Sequence, residues 1–252
     1  MLGIPPPVGY NPVTQETMTE SLVTLQTSAS AWELAEILAD EIAGCLAEAV
    51  TAKGWGALVV SGGSTPEPLF RLLSRKKIAW PKISITLADE RWVDISDSSS
   101  NEHLVRSLLL QNDAAAARFI GLKNSASTAA SGEQECHEIL SALPRPFDVV
   151  ILGMGDDGHT ASLFPGAVRL AEALDMKSGR NCLAVTPPDA PFDRMTLTLP
   201  TLLDSRQIIL HITGGRKKKV LDRALAEDTS NEMPVRSILR QQRTPVRIFW
   251  AP

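Results

Sequence analysis

Four short segments, residues 57–60, 83–88, 147–152 and 207–212, are rich in apolar side chains on both faces, and each runs straight into a polar, charged or glycine-rich loop. A strand that is apolar on both faces has to be covered on both, and that is the signature of a parallel sheet between layers of helices. Stretches with helical spacing fall between or after these segments, at 66–74, 101–111, 127–142 and 216–227. A longer amphipathic helix precedes them. Leu34, Ile37, Leu38, Ile42, Cys45, Leu46, Ala49 and Val50 recur at three- and four-residue intervals, with Ser30 as N-cap, Glu33 completing a capping box and Gly54 as the stop. Further extended segments are expected at 182–186, 194–199 and 246–250. The pattern predicts an α/β fold: a three-layer, mainly parallel sheet with helices on both faces. Residues 1–22, with Pro5, Pro6, Pro7 and Pro12, read as a poorly ordered lead-in, and residues 23–252 as one domain.

Charge and cysteine usage narrow the function classes. Lys and Arg total 25 against 29 Asp and Glu, a net charge of −4, so no general basic field exists to hold nucleic acid or an anionic membrane. An anionic substrate would need a local basic cluster. Cys45, Cys136 and Cys182 are far apart, without metal-ligand spacing, which fits a reducing compartment and neither a disulfide framework nor a zinc site. The first residues lack a basic and an apolar signal region, and no uncharged apolar run reaches the roughly 18 residues of a membrane span. The chain is expected in the cytoplasm, with no nucleic-acid or membrane partner and its oligomeric state open between monomer and dimer.

In an open α/β sheet ligands bind beyond the carboxyl ends of the strands, so the four loops should meet at one crevice. The first, Ser61-Gly62-Gly63-Ser64-Thr65-Pro66, offers backbone N–H groups and hydroxyls suited to an oxyanion. It contains no Walker lysine, but Lys217 follows Gly214 in the first turn of a later helix and supplies a cation. A cation there is unfavourable unless an anion bridges it to the helix N-terminus. Together they suggest a phosphomonoester pocket.

The segment Gly153-Met154-Gly155-Asp156-Asp157-Gly158 matches the dinucleotide fingerprint in letters only. Asp156 and Asp157 would face a pyrophosphate, and Pro165 limits a helix there. Its useful content is Asp157 and His159: an imidazole at a strand end can take and return a proton near neutral pH, with a carboxylate to orient it. His103, His137 and His211 read as structural. Asp89-Glu90-Arg91 sits at another strand end, where Arg91 is placed to anchor substrate or stabilise an oxyanion and Glu90 to satisfy backbone groups. Arg194 is either a second anion ligand or an edge-strand charge. A serine hydrolase is disfavoured by the absence of GxSxG, and no metal-ligand set stands out.

The blocks ALVVSGGSTPEPLFRLL, ITLADERWV with a later Ser100-Asn101, FDVVILGMGDDGHTASLFPG, RMTLTLPTLL and ITGGRKKKVL occur in that order from about Thr24 onward. In these blocks the chain resembles the glucosamine-6-phosphate isomerase/6-phosphogluconolactonase family, on its lactonase side. The resemblance implies a fold like that of glucosamine-6-phosphate deaminase and ribose-5-phosphate isomerase. The implied activity is hydrolysis of a small phosphorylated sugar lactone, 6-phospho-D-glucono-1,5-lactone, in the oxidative pentose phosphate pathway, without an organic cofactor or a metal. By motif, Gly62, Gly63, Ser64 and Thr65 hold the phosphate with Lys217 and Arg194. His159 is then the catalytic histidine, Asp157 its partner, and Asp89 and Arg91 complete the catalytic set. Asp94 and Gly215-Arg216 depart from the family pattern, which bears on loop detail and phosphate affinity. The rival readings are an amino-sugar-phosphate isomerase or deaminase, which would call for Asn-Glu-Pro after the histidine turn, and a non-catalytic sugar-phosphate sensor.

Overall fold

The apolar runs fold as strands, and their carboxyl ends line up along one edge of a parallel sheet. The structure, a computed structural model, describes residues 22–226 and 233–252. In chain order its elements are β1 (Val23–Thr27), α1 (Ala31–Lys53), β2 (Gly56–Val60), α2 (Glu67–Leu73), β3 (Ile83–Leu87), β4 (Asp89–Arg91), α3 (Asn101–Leu108), β5 (Arg118–Ile120) and α4 (Ala129–Ser141). There follow β6 (Val149–Leu152), α5 (Leu170–Leu174), β7 (Cys182–Val185), β8 (Arg194–Leu197), α6 (Leu199–Leu203), β9 (Ile208–Thr213), α7 (Gly215–Leu225), α8 (Arg236–Leu239) and β10 (Val246–Ala251). The expected lead-in lies almost wholly outside the described residues.

Seven strands form one sheet in the order β1-β10-β9-β6-β2-β3-β5, with every pairing parallel. Every residue of β2 and β6 is buried, so both faces of the sheet centre are covered, as parallel strands require. From β2 the chain winds outward through β3 to β5. It then returns to the other side of β2 as β6 and continues through β9 to β10. The strand order therefore reverses between β2 and β6, and a crevice opens at such a switch point.

The long first helix forms for the reasons its sequence gives. Leu34, Leu38, Ile42 and Leu46 are fully buried, Ser30 Oγ accepts from the Glu33 N–H at 3.2 Å, and Gly54 ends the helix at φ 84°. The Glu33 carboxylate bonds the Ala29 N–H at 2.9 Å rather than that of Ser30, a variant of the expected box. Burial of Leu34, Leu38, Ile42 and Leu46 stabilises the fold by roughly 1.5–3 kcal/mol per side chain.

Three differences from the expected elements have physical causes. β6 starts at Val149, two residues later than expected; just before it the buried Asp148 carboxylate accepts from Lys53 Nζ at 2.7 Å and from the Ala57 N–H at 2.8 Å, and Phe147 makes only an isolated bridge. Asp89-Glu90-Arg91, read as a loop, is a strand in a second, antiparallel sheet of order β4-β8-β7. β1 and β5 carried no expectation as strands; they lie at the sheet edges and are partly exposed. Among the described residues no helix is long and apolar enough to cross a membrane.

Candidate active site

The four loops meet in one cleft of about 430 Å³. Residues 61–66 form one wall, Asp89 and Arg91 with Asn101 another, and residues 153–155 with His159 the third. Arg194 and Lys217 close it from β8 and α7. Of the residues that the resemblance implied as catalytic or phosphate-binding, all but Asp157 line this space, and Asp157 touches it through His159, whereas Glu90 does not line it.

The cradle after β2 is pinned from below and from the side. Ser61 Oγ donates to the Ile151 carbonyl at 3.0 Å, joining β2 to β6 across the switch point. Gly63 has φ 90°, a left-handed conformation that a side chain would strain. A Cβ on Gly62 would fall 1.8 Å from Asn101 Oδ1, so that position has room only for hydrogen. Small residues here expose the backbone N–H groups to the cleft.

Lys217 reaches across from the first turn of α7. Its Nζ donates to the Met154 carbonyl and lies 3.5 Å from Asp156 Oδ1. The anion demanded by a cation at this helix end is thus supplied, in the free protein, by Asp156. Arg216 Nη1 bonds the other oxygen of that carboxylate at 3.1 Å. Partial burial favours the neutral acid, but Arg216 and Lys217 outweigh it and hold the Asp156 carboxyl below its usual range.

The turn after β6 is built to aim one imidazole. No helix starts in it, which explains why the dinucleotide fingerprint carries no meaning here. Gly158 takes φ 82°, and its Cβ would strike Met233 at 2.8 Å. His159 Nδ1 lies 2.6 Å from Asp157 Oδ1, and the same oxygen accepts the His159 N–H at 3.0 Å. A carboxylate only accepts, so in the neutral imidazole this contact selects the tautomer with the proton on Nδ1 and the lone pair on Nε2. Phe164 lies against the ring with centroids 4.3 Å apart and fixes its tilt.

On the β4 side, Asp89 is buried and its position is determined. Ser162 Oγ donates to Asp89 Oδ2 at 2.5 Å, and Asn101 Nδ2 donates to the Asp89 carbonyl at 2.8 Å. Glu90 points away and accepts from the Arg91, Asn101 and Glu102 N–H groups, each at 2.7 Å, so it shapes the start of α3 rather than the cleft. Burial pushes its carboxyl pKa up, against those backbone bonds. Arg91 donates to the Ser99 carbonyl. Arg194 pairs with Arg91 in register across β4 and β8, and burial followed by this like charge lowers its pKa. Its Nη1 also donates to the Pro191 and Phe192 carbonyls at 2.6 and 3.0 Å, so part of its bonding capacity holds the 186–193 loop.

Sequence reasoning gave no role to Ser162, Phe164 or the Met154 carbonyl. Ser162 and Phe164 belong to the same TASLF segment that follows His159, and that was the available signal. His211, read as structural, is buried in β9 yet forms part of the cleft wall.

A family model described as glucosamine-6-phosphate isomerases/6-phosphogluconolactonase matches residues 29–250. A 6-phosphogluconolactonase of Rhizobium meliloti is 45% identical over 87% of this chain and 94% of its own length. One of Pseudomonas aeruginosa is 44% identical over 91% and 95%. The crystal structure of a 6-phosphogluconolactonase from Shewanella baltica superposes with a TM-score of 0.89 at 49% identity, covering 91% of this chain and 98% of that one. A monomeric glucosamine-6-phosphate deaminase shares the fold at a TM-score of 0.76 and 20% identity, with 90% and 97% covered. With the matched model running from just before α1 almost to the end of β10, the chain belongs to the glucosamine-6-phosphate isomerase/6-phosphogluconolactonase family.

Proposed function

We propose that this chain hydrolyses 6-phospho-D-glucono-1,5-lactone to 6-phosphogluconate, the lactonase step of the oxidative pentose phosphate pathway. The observation that carries the reading is the placement, in one cleft, of a backbone cradle with Lys217 and of an Asp157-oriented imidazole with a free Nε2. Relatives at 45% and 44% identity over about nine-tenths of the chain carry that enzyme name.

The phosphate sits on the N–H groups of Gly63, Ser64 and Thr65 and pairs with Lys217, which leaves the lactone carbonyl toward the histidine turn. His159 Nε2 accepts a proton from a water whose oxygen bonds to C1. The carbonyl electrons move onto oxygen, where Arg91 faces the negative charge. The C1–ring-oxygen bond then breaks, and the imidazolium returns its proton to the departing ring oxygen. Asp157 keeps Nδ1 protonated throughout and favours the imidazolium between the two transfers. Asp89, held by Ser162 and Asn101, is placed to accept from sugar hydroxyls, and Arg194 contributes positive charge to the same wall.

The test is the rate of lactone opening above buffer, with fresh substrate and product coupled to NADP reduction by 6-phosphogluconate dehydrogenase. His159→Ala should lose about 10²–10⁴-fold in kcat. Lys217→Ala should mainly raise KM. Near-normal turnover by His159→Ala would remove it as the base. A wild type no faster than buffer would overturn the reaction itself, and glucosamine 6-phosphate would be the substrate to try next.

A further inference from the structure

Lys217 is the cation of the phosphate end, yet a carboxylate and a second cation stand immediately behind it. Asp156 Oδ1 lies 3.5 Å from Lys217 Nζ, and Asp156 Oδ2 lies 3.1 Å from Arg216 Nη1. The bond that fixes the ammonium is the one to the Met154 carbonyl, so Asp156 is not needed to hold it in place. What Asp156 adds, from just outside the cleft lining, is negative charge 3.5 Å from the ammonium with which a phosphate dianion would pair. Arg216 extends into solvent, with its side chain 83% exposed, and it does not line the cleft. Its route to a bound phosphate therefore runs through the Asp156 carboxylate.

We propose that Asp156 and Arg216 act as an affinity-setting pair behind Lys217, with Asp156 opposing the phosphate and Arg216 drawing the carboxylate's charge away from the lysine. This rests on the reading of Lys217 as the phosphate cation. At these distances the charges interact appreciably, while their exposure keeps the effect modest and sensitive to salt. The pair tunes how tightly the phosphorylated end is held and takes no part in the proton transfers at His159.

The experiment titrates inorganic phosphate into the protein by calorimetry at low ionic strength, for the wild type and for Asp156→Asn, Arg216→Ala, Arg216→Lys, Lys217→Ala and the Asp156→Asn/Arg216→Ala double variant. Asp156→Asn should bind phosphate about three- to tenfold more tightly. Arg216→Ala should bind it about two- to fivefold more weakly, Arg216→Lys should restore most of that loss, and in the Asp156→Asn background the arginine should cease to matter. The same shifts should fall on KM for the lactone rather than on kcat, and should shrink in high salt. If Lys217→Ala weakens phosphate binding but Asp156→Asn leaves it unchanged or weakens it, the pair does not oppose the phosphate and the proposal fails. An Arg216→Ala effect of equal size in both backgrounds also overturns it, since the arginine would then act without the carboxylate. If Lys217→Ala itself binds phosphate normally, the reading of the lysine fails first.

Discussion

Replacing His211 by leucine should flatten the pH dependence of stability on the acid side. His211 lies in β9 opposite Phe249 and is 3% exposed, and neither ring nitrogen has a hydrogen-bond partner. Burial alone pushes its pKa down from 6.5 to about 4. The sign follows from which state takes up the proton. Below pH 6.5 the unfolded chain protonates this imidazole while the folded protein keeps it neutral, so stability present above 6.5 drains away as the pH falls toward 4. Between pH 8 and pH 5 that difference removes about 2 kcal/mol, a large part of a typical net stability. Urea unfolding of wild type and His211→Leu at both pH values isolates the effect, because the carboxylates common to both proteins cancel in the double difference. The wild type should lose about 2 kcal/mol more than the variant across this interval. Equal losses would show that His211 titrates normally in the folded protein, and the argument from its unpartnered burial would be wrong.

Two glycines offer sharper tests of the site. In Gly155→Ala the new Cβ would fall 2.1 Å from His159 Nδ1 and 2.5 Å from Asp157 Oδ1, so the imidazole must move. Lactone turnover should fall by about 10²-fold or more, with phosphate binding by calorimetry retained. Gly62→Ala drives a methyl into the Asn101 amide at 1.8 Å, and either the cradle or α3 has to shift. It should raise KM for the phosphorylated lactone more than it lowers kcat, and lower Tm in a thermal melt; an unchanged KM would separate the cradle from the phosphate.

The sequence made some of this legible because of where the residues lie in the sheet. β2 and β6 stood out because strands covered on both faces are apolar throughout, and β3 and β9 because only Ser84, Thr86 and His211 interrupt otherwise apolar buried runs. The same physics hides the margins. β1, Val-Thr-Leu-Gln-Thr on an edge, has only Val23 and Leu25 as apolar residues and no buried run to read, and the three residues of β4 are all charged. Their strand character comes from partners far along the chain, Trp250 for Thr27 and Arg194 for Arg91. The candidate site divides in the same way. Asp157 and His159 are two residues apart, so their pairing is visible as spacing. The bond from Ser162 to Asp89 spans 73 positions, and no local pattern can announce it. Asp156 as the anion beside Lys217, 61 residues away, was hidden for the same reason.

The first and last strands of the described chain lie side by side, and β10 also separates β1 from the rest of the sheet. During synthesis, then, β1 is made earliest and seated last, waiting with an open edge until Val246–Ala251 emerges. That final strand does more than close the sheet. The Ala251 carbonyl accepts the Gly214 N–H at 2.8 Å, and the Trp250 indole donates to the Gly214 carbonyl at 3.1 Å, which fixes the residue from which α7 and Lys217 depart. A ribosome-bound chain lacking β10 would carry the histidine turn and the cradle, but Gly214, at the start of α7, would lack both of these bonds. The wall of the cleft that Lys217 forms is thus tied to the last strand of the chain, and a truncated or stalled product would lack that tie.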